Sequence, residues 1–363
     1  MRAIVASAAL LLLSLPVLAL PARATVFQQT NLVSDGTVAA ANTDPNLVNP
    51  WGIADSATGP FWVSNNNSGT STLYNGAGTP FPVGNPLVVS VANATGQAFV
   101  GGAGFTEPNS AISPNFVFAE DSGAIAAWGG ANGTVAQVVL NSGPAASYTG
   151  VAAGTSAQGP TVYAADVAAG KITTLGAMFQ PITLSGSFTD PQLPAGYAPF
   201  NIQRLGSTLY VAYTNGAGGG IVDAFDANGN FLQRVAANAA GGPLDAPWGL
   251  DIAPAGFGQY GGDLLVGNFG NGEINAFDPN GSGYLGTLDL GNGQPFQEDS
   301  LWGLINGNGG SGGALGTVYF AAGLANEAGG LFGALAPVPA PEPASLALLS
   351  SSLAGLAFVR RRR

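Results

Sequence analysis

The chain has 363 residues, of which 56 are Gly and 25 are Pro; only 8% are charged and none is Cys or His. So much Gly and Pro would break long helices, which argues against a helical bundle, while a 46% hydrophobic fraction is too high for disorder. Without Cys there is no disulfide framework or thiol chemistry, and without His no Ser-His triad and no imidazole metal site.

The N-terminus carries Met1-Arg2, an apolar run over 8–20 and then Ala22-Arg23-Ala24. One early positive charge, a short hydrophobic stretch and an A-x-A site predict a secretory signal peptide over 1–24, with Ala22 and Ala24 marking cleavage. The run is shorter than the ~20 residues that span a bilayer.

Past the signal, short apolar-rich segments bounded by Gly, Pro, Asn and Asp predict strands in chain order. A lone strand is expected at 26–33. Unit one has strands at 51–54, 61–64, 72–74 and 87–91, and unit two has them at 116–119, 124–128 and 135–140, its first strand undetermined. Unit three has strands at 148–152, 161–164, 172–175 and 182–184. Units four (200–205, 208–213, 221–225, 231–235) and five (248–252, 263–266, 272–277, 284–290) are the clearest. Asp226-Ala227-Asn228-Gly229-Asn230 and Asp278-Pro279-Asn280-Gly281 sit at the same place in those two units, and Asn-Gly supplies the positive φ of a tight hairpin. Unit six has strands at 301–305, 317–321 and 331–335, one short of four.

Three Trp-Gly pairs mark the period: Trp51-Gly52, Trp248-Gly249 and Trp302-Gly303, the last two 54 residues apart. Residues 49–336 divide into six units of 48, which predicts an all-β, six-bladed propeller, with seven blades as the secondary count. The strand at 26–33 is expected to complete blade six and remove an exposed sheet edge. The Trp side chains are expected to pack between blades, with Gly allowing close approach. The expected domains are a signal peptide (1–24), a propeller (25–337) and a sorting segment (338–363).

The C-terminus has Pro341-Glu342-Pro343, an apolar stretch over 344–359, and Arg360, Arg361, Arg362 and Arg363. Sixteen helical residues reach about 24 Å, marginal against a ~30 Å hydrocarbon core, and the arginines favour the cytoplasmic side. This tripartite tail resembles the PEP-CTERM sorting signal. The resemblance implies a Gram-negative, exopolysaccharide-producing source, an exosortase-type processing enzyme as partner, and membrane association only through the C-terminal helix before processing. Unit five, with P-W-G-L, D-L-L-V-G-N and G-E-I-N-A-F-D-P-N-G, resembles the NHL-type propeller repeat. The body as a whole, with Asn31-Leu32-Val33-Ser34-Asp35 near its start, is similar to an uncharacterised family of exported PEP-CTERM proteins that carries no established activity.

Between the two sorting segments only Lys171, Arg204 and Arg234 are basic against nineteen acids, a net charge of −16. Phosphate backbones would be repelled, so nucleic acid is excluded as a partner. In an antiparallel blade with strands A to D from the axis outward, the B–C and D–A connections share one face. On that face fall Asn65, Glu120, Asp166, Asp245, Asn268, Glu298 and Asp299, while Asn201 lies on an inner strand. Oxygen ligands suit a hard cation such as Ca²⁺, and amides with aromatic neighbours suit a glycan; turn chemistry alone also favours Asn and Asp. The expected function is therefore an exported surface or matrix protein whose acidic, Asn-rich rim binds a cation, an extracellular polysaccharide or a surface protein. The alternative is a calcium-dependent hydrolase or lactonase with a metal at the channel mouth and Glu120, Glu298 or Asp299 as base. Related propeller lyases rely on a catalytic His, which this chain lacks.

Overall fold

Six antiparallel sheets stand around one axis in the order expected of propeller blades. The computed structural model describes residues 25–338 apart from Ala103 and Asn292. The signal peptide with Ala22 and Ala24, and the sorting residues Pro341, Glu342, Pro343 and Arg360 to Arg363, lie outside the described residues. Among the described residues no helix is long and apolar enough to cross a membrane.

Strands β1 (Phe27–Ser34) and β2 (Asn42–Thr43) precede blade one, which holds β3 (Pro50–Ala54), β4 (Phe61–Asn65), β5 (Thr70–Tyr74) and β6 (Val88–Ser90). Blade two holds β7 (Ala94–Phe99), β8 (Phe116–Glu120), β9 (Ala124–Trp128) and β10 (Gln137–Asn141). Blade three has β11 (Tyr148–Ser156), β12 (Gly159–Asp166) and β13 (Lys171–Leu175). Blade four has β14 (Ala198–Leu205), β15 (Thr208–Thr214), β16 (Gly220–Phe225) and β17 (Phe231–Asn238). Blade five has β18 (Pro247–Ile252), β19 (Leu264–Asn268), β20 (Ile274–Phe277) and β21 (Tyr284–Thr287), and blade six has β22 (Leu301–Asn306), β23 (Val318–Ala322) and β24 (Leu331–Pro337).

The N-terminal strand closes the ring as expected. β1 pairs antiparallel with β24 from Phe27↔Pro337 to Ser34↔Leu331, so the two ends of the propeller chain share one blade. β2 then pairs in parallel with β1, an extra strand not foreseen from the sequence.

Each blade interface has its own apolar cluster, because side chains on a strand alternate between the two neighbouring blades. In β12, Val162 and Ala164 pack toward blade two, while Tyr163 and Ala165 pack toward blade four. In β19, Leu264 and Val266 face blade four, and Leu265 faces blade six. Such strands are buried on both sides, which explains why they read as apolar runs without polar alternation.

Blade three departs from expectation: the fourth strand expected at 182–184 is absent. Ile182 N–H donates to the Thr174 carbonyl at 2.9 Å, but the chain then leaves the sheet. Phe188 N–H donates to the Gly229 carbonyl at 3.0 Å, and the Phe188 ring packs on Phe225 and Tyr163. Burying that ring between blades three and four draws the segment away from the edge it would have paired.

The inner strands show why the Trp-Gly pair repeats. Aligned on Trp51, Trp248 and Trp302, the corresponding pairs elsewhere are Thr95-Gly96, Thr149-Gly150 and Phe200-Asn201. A Cβ on Gly249 would lie 2.5 Å from the Trp302 carbonyl oxygen, and one on Gly303 would lie 2.6 Å from that of Trp51. Glycine is required because adjacent inner strands press backbone on backbone around the axis. The Trp side chains do not lie between blades. Trp51 stacks on Trp302 with centroids 3.5 Å apart, Trp248 meets both edge-on, and Phe200 and Phe269 complete the cluster on the axis.

Candidate functional site

The aromatic cluster closes the channel at the face that carries the B–C and D–A connections. Trp302 Nε1–H donates to Asn49 Oδ1 at 3.2 Å, and Trp248 Nε1–H donates to the Thr149 carbonyl at 3.0 Å, so two of the three indoles are pinned. Asn49, Asn93, Ala246 and Ser300 all take a positive φ near 50° two residues before the inner-strand register position. This recurring kink turns four D–A connections into the axis.

The polar residues expected on this face divide into two sets. The first set is tied into the fold through hydrogen bonds, although the buried Oδ1 atoms of Asn65 and Asn268 have no partner among the described residues. Asn65, buried at the end of β4, donates to the hydroxyls of Thr70 and Thr72 at 3.1 and 3.0 Å. Asp166 accepts the N–H groups of Ser147 and Ala169 at 3.1 and 3.0 Å. Asn268 donates to the Pro243 carbonyl and to Asn271 Oδ1, each at 3.0 Å. Asn201 stands where five blades have Gly; its amide donates to the Trp248 carbonyl at 2.7 Å and joins blades four and five.

The second set is acidic, with Asp245 and Glu298 half-buried, Asp299 exposed and Glu120 buried. Glu298 accepts a hydrogen bond from Gln29, and burial raises its carboxyl above the usual range. Burial likewise raises Glu120, which accepts from the Ser122 hydroxyl at 3.1 Å. Asp245 lies against Gly270 and Gly218. Asp299 accepts from Asn326 N–H at 2.9 Å and lies near Glu327, whose carboxyl is raised by burial and then by Asp299 and Asp121. Asn201, Asn268 and Glu298 therefore have separate partners rather than a common centre. Among the described residues there is no group of three or more Asp, Glu, His or Cys side chains that could hold a metal ion. The Asp226 and Asp278 loops are turns: each carboxylate accepts N–H groups of its own hairpin, from Asn228 and Asn230 in one and Asn280 in the other.

The opposite end of the channel is open. A cavity of about 210 Å³ there is lined by Ile53 to Asp55, Gln97 to Phe99, Val151 to Ala153, Gln203, Arg204 and Ile305. These are the second to fourth residues past the Trp register position in each inner strand. In the fourth position around the ring stand Asp55, Phe99, Ala153, Arg204, Ile252 and Asn306. Blades one and four lie across the axis from each other, so Asp55 and Arg204 occupy opposite sides of the mouth.

Three features distinguish this mouth. First, Gln203 and Arg204 make no side-chain hydrogen bond or ion pair among the described residues, whereas the other lining amide, Gln97, donates to the Gly52 carbonyl at 3.0 Å and accepts from Ser71 at 3.1 Å. Second, Asp55 is held by Asn308, whose amide donates to Asp55 Oδ2 at 2.7 Å and to the carbonyls of Ser56 and Gly59 at 2.9 Å. Burial pushes the Asp55 carboxyl up to about 6 against the opposing effect of that amide. Third, Asp251 of blade five lies beneath the mouth, 7% exposed, with Oδ1 accepting Ile252 N–H at 2.8 Å. Its Oδ2 and the Oδ1 of Asn306 have no partner. Burial pushes Asp251 up to about 8, with Asp55 adding to the rise against the lowering effect of the Ile252 and Asn306 backbone N–H groups.

Sequence reading passed over Asp55, Gln203, Arg204 and Asp251 because none lies in a turn of the rim. Counting from the pairs would have found Asp55, four residues past Trp51, and Asp251, three past Trp248; Gln203 and Arg204 follow Phe200-Asn201, which carries no Trp-Gly mark.

Over the body, the chain is 32% identical across 310 residues to uncharacterized protein R648 of Acanthamoeba polyphaga mimivirus, covering 78% of this chain and 75% of that protein. It is 30% identical across 315 residues to uncharacterized protein L690 of the same virus, covering 78% and 80%. The chain belongs to the family of these two proteins. Residues 336–363 match the family model described as the IPTL-CTERM motif, a sorting motif related to the one expected, and this tail points to an exported member of the family. Two solved structures share the fold. A protein of unknown function from Bacteroides thetaiotaomicron VPI-5482 has a TM-score of 0.54 and 11% identity, covering 86% of this chain and 76% of that one. A catalytically inactive virginiamycin B lyase from Staphylococcus aureus with quinupristin has a TM-score of 0.50 and 10% identity, covering 86% and 100%. At these identities the likeness is one of fold alone.

Proposed function

We propose that this chain is an exported propeller that binds a small polar ligand in the open channel mouth, through Asp55, Gln203 and Arg204. The observation that carries the reading is that Gln203 and Arg204 are unpaired at a cavity which also presents a rigidly held carboxylate. Gln203 is half-buried and Arg204 exposed, so both are open to a ligand from solvent, and ligand sites combine an apolar wall with a few convergent polar groups. Ile53, Val151, Ile305 and the Phe99 ring form that wall. Binding at the rim, as an acidic and amide surface for a polysaccharide or surface protein, is the lesser reading, since half of its expected residues are spent on turns and on the joint between blades four and five.

The test is a calorimetric titration of the purified protein with a panel of monosaccharides and amino acids. A combined Asp55→Asn, Gln203→Ala, Arg204→Gln variant should lose the binding that a combined Asp121→Asn, Asp299→Asn, Glu327→Gln rim variant keeps. The reverse pattern would move the site to the rim.

Export is served at both ends in this reading: cleavage after Ala24, then processing at Pro341-Glu342-Pro343 by an exosortase-type enzyme while Arg360 to Arg363 stay cytoplasmic. The order of motif, apolar stretch and arginines supports the PEP-CTERM form of the tail and a Gram-negative envelope, and the P-W-G-L units support an NHL-like repeat. Mass spectrometry of the exported protein should find Thr25 at its N-terminus and no arginine cluster.

A further inference from the structure

We propose that the ligand of the mouth is a hexuronic acid, its carboxylate bound by Arg204, its hydroxyls by Gln203 and Asp55, and its ring against Phe99. The inference rests on the binding reading above and adds the ligand's chemistry.

The body has three basic residues. Arg234 is committed between blades three and four, where it contacts Asp190 and lies 3.6 Å from Asp223 Oδ1. Lys171 is exposed on the outermost strand of blade three. Arg204 alone lines the channel. Its stem is set against the backbone of blade three, since a Cβ on Gly154 would lie 3.1 Å from Arg204 Cδ. The guanidinium has no carboxylate or carbonyl partner among the described residues, although the body carries nineteen acids. An exposed planar donor fork without an acceptor suits a carboxylate, which it can meet with two parallel hydrogen bonds.

The remainder of the mouth limits what may carry that carboxylate. Asp55 on the far side repels a second anionic group and accepts hydroxyl hydrogens on the oxygen that Asn308 leaves free. Gln203 offers both a donor and an acceptor. Phe99 is 39% exposed and packs on Phe116 with centroids 5.2 Å apart, which leaves ring surface toward the cavity for the C–H face of a sugar. The cavity, at about 210 Å³, suits one sugar ring rather than a chain.

The charge arrangement predicts a pH signature. Asp55 faces Asn308 of blade six, Asp251 of blade five and, across the axis, Arg204. Asp251 keeps its proton throughout the range below pH 7, so Asp55 is the group of the mouth that changes charge there. When Asp55 is neutralised, repulsion of an incoming carboxylate falls while its hydroxyl contacts remain.

The experiment is calorimetry of the purified protein with sodium D-glucuronate, D-glucose and L-serine at pH 7.5 and 5.5. Glucuronate is expected to bind about threefold or more tightly at pH 5.5. Arg204→Gln should weaken it at least about tenfold at unchanged melting temperature, with Arg204→Lys intermediate, as befits loss of a charge-assisted pair. Glucose binding as tightly as glucuronate, with Asp55→Asn and Gln203→Ala weakening both, would overturn the uronate and keep the mouth as a site for neutral sugars. Serine preferred over both, and weaker at pH 5.5, would overturn it in favour of a zwitterion whose ammonium needs ionised Asp55. Glucuronate binding that no substitution at Asp55, Gln203 or Arg204 alters would overturn the uronate and the mouth together.

Discussion

The two ends of the channel are built from the same six inner strands and treat their polar residues in opposite ways. At the rim end, Asn65, Asp166, Asn201 and Asn268 satisfy backbone and hydroxyl groups of the fold, and three indoles fill the axis. At the mouth, a few residues along the same strands, Gln203 and Arg204 have no work in the fold and border open space. Abundance of Asn and Asp therefore marks where turns need holding. Lack of a partner beside open space is the better mark of where a ligand is awaited, since Asn65 Oδ1 and Asn268 Oδ1 also lack partners but are buried.

That contrast can be broken at several places, beginning with the closed end. Trp302→Ala empties the axial cluster and should cost about 3–5 kcal/mol of stability, as large-to-small aromatic changes do, measured by urea denaturation. Gly303→Val would drive a side chain into the Trp51 backbone and should cost about 1–3 kcal/mol or more. If either change were neutral, the axis would be looser than its contacts imply.

Asp251 sharpens the comparison through pH. Its folded-state value of about 8 lies above that of an unfolded carboxyl, so the native state holds a proton that the unfolded state releases. Its contribution to stability is full below about pH 4 and lost as pH rises toward 8. Asp251→Asn, which has no such proton to lose, should gain on the parent between pH 5 and 8, reaching on the order of 1–3 kcal/mol at pH 8. A difference in melting temperature that does not vary with pH would contradict this. Asn201→Ala removes the donor to the Trp248 carbonyl and should cost about 1–2 kcal/mol while leaving ligand binding at the mouth intact. Arg204→Gln should change stability by less than about 0.5 kcal/mol, since its guanidinium supports nothing in the fold.

Much of the architecture was legible in residues. The spacing of Trp248-Gly249 and Trp302-Gly303 set the blade period, and the missing strand of blade six pointed to 26–33 as the closing strand. Blade two carries Thr95-Gly96 in place of Trp-Gly, which hid its inner strand, whereas the inner strand of blade three was read at 148–152 although Thr149-Gly150 stands in place of Trp-Gly there. The fourth strand of blade three misled because Ile182 and Leu184 have the pattern of a strand, yet burial of Phe188 decides the path of the chain. The candidate site was less legible than the fold. A polar residue in a turn looks the same whether it caps a backbone N–H or faces a ligand, and only the hydrogen-bond partners separate the two.

The absence of native Cys allows a direct comparison of the two ends. Single Ala153→Cys and Asn326→Cys variants, one at the mouth and one on the rim, should both react with iodoacetamide, and saturating D-glucuronate should slow alkylation of the first several-fold while leaving the second unchanged. Protection of the Asn326→Cys variant, with the Ala153→Cys variant still reacting freely, would place the ligand at the closed end and contradict the account.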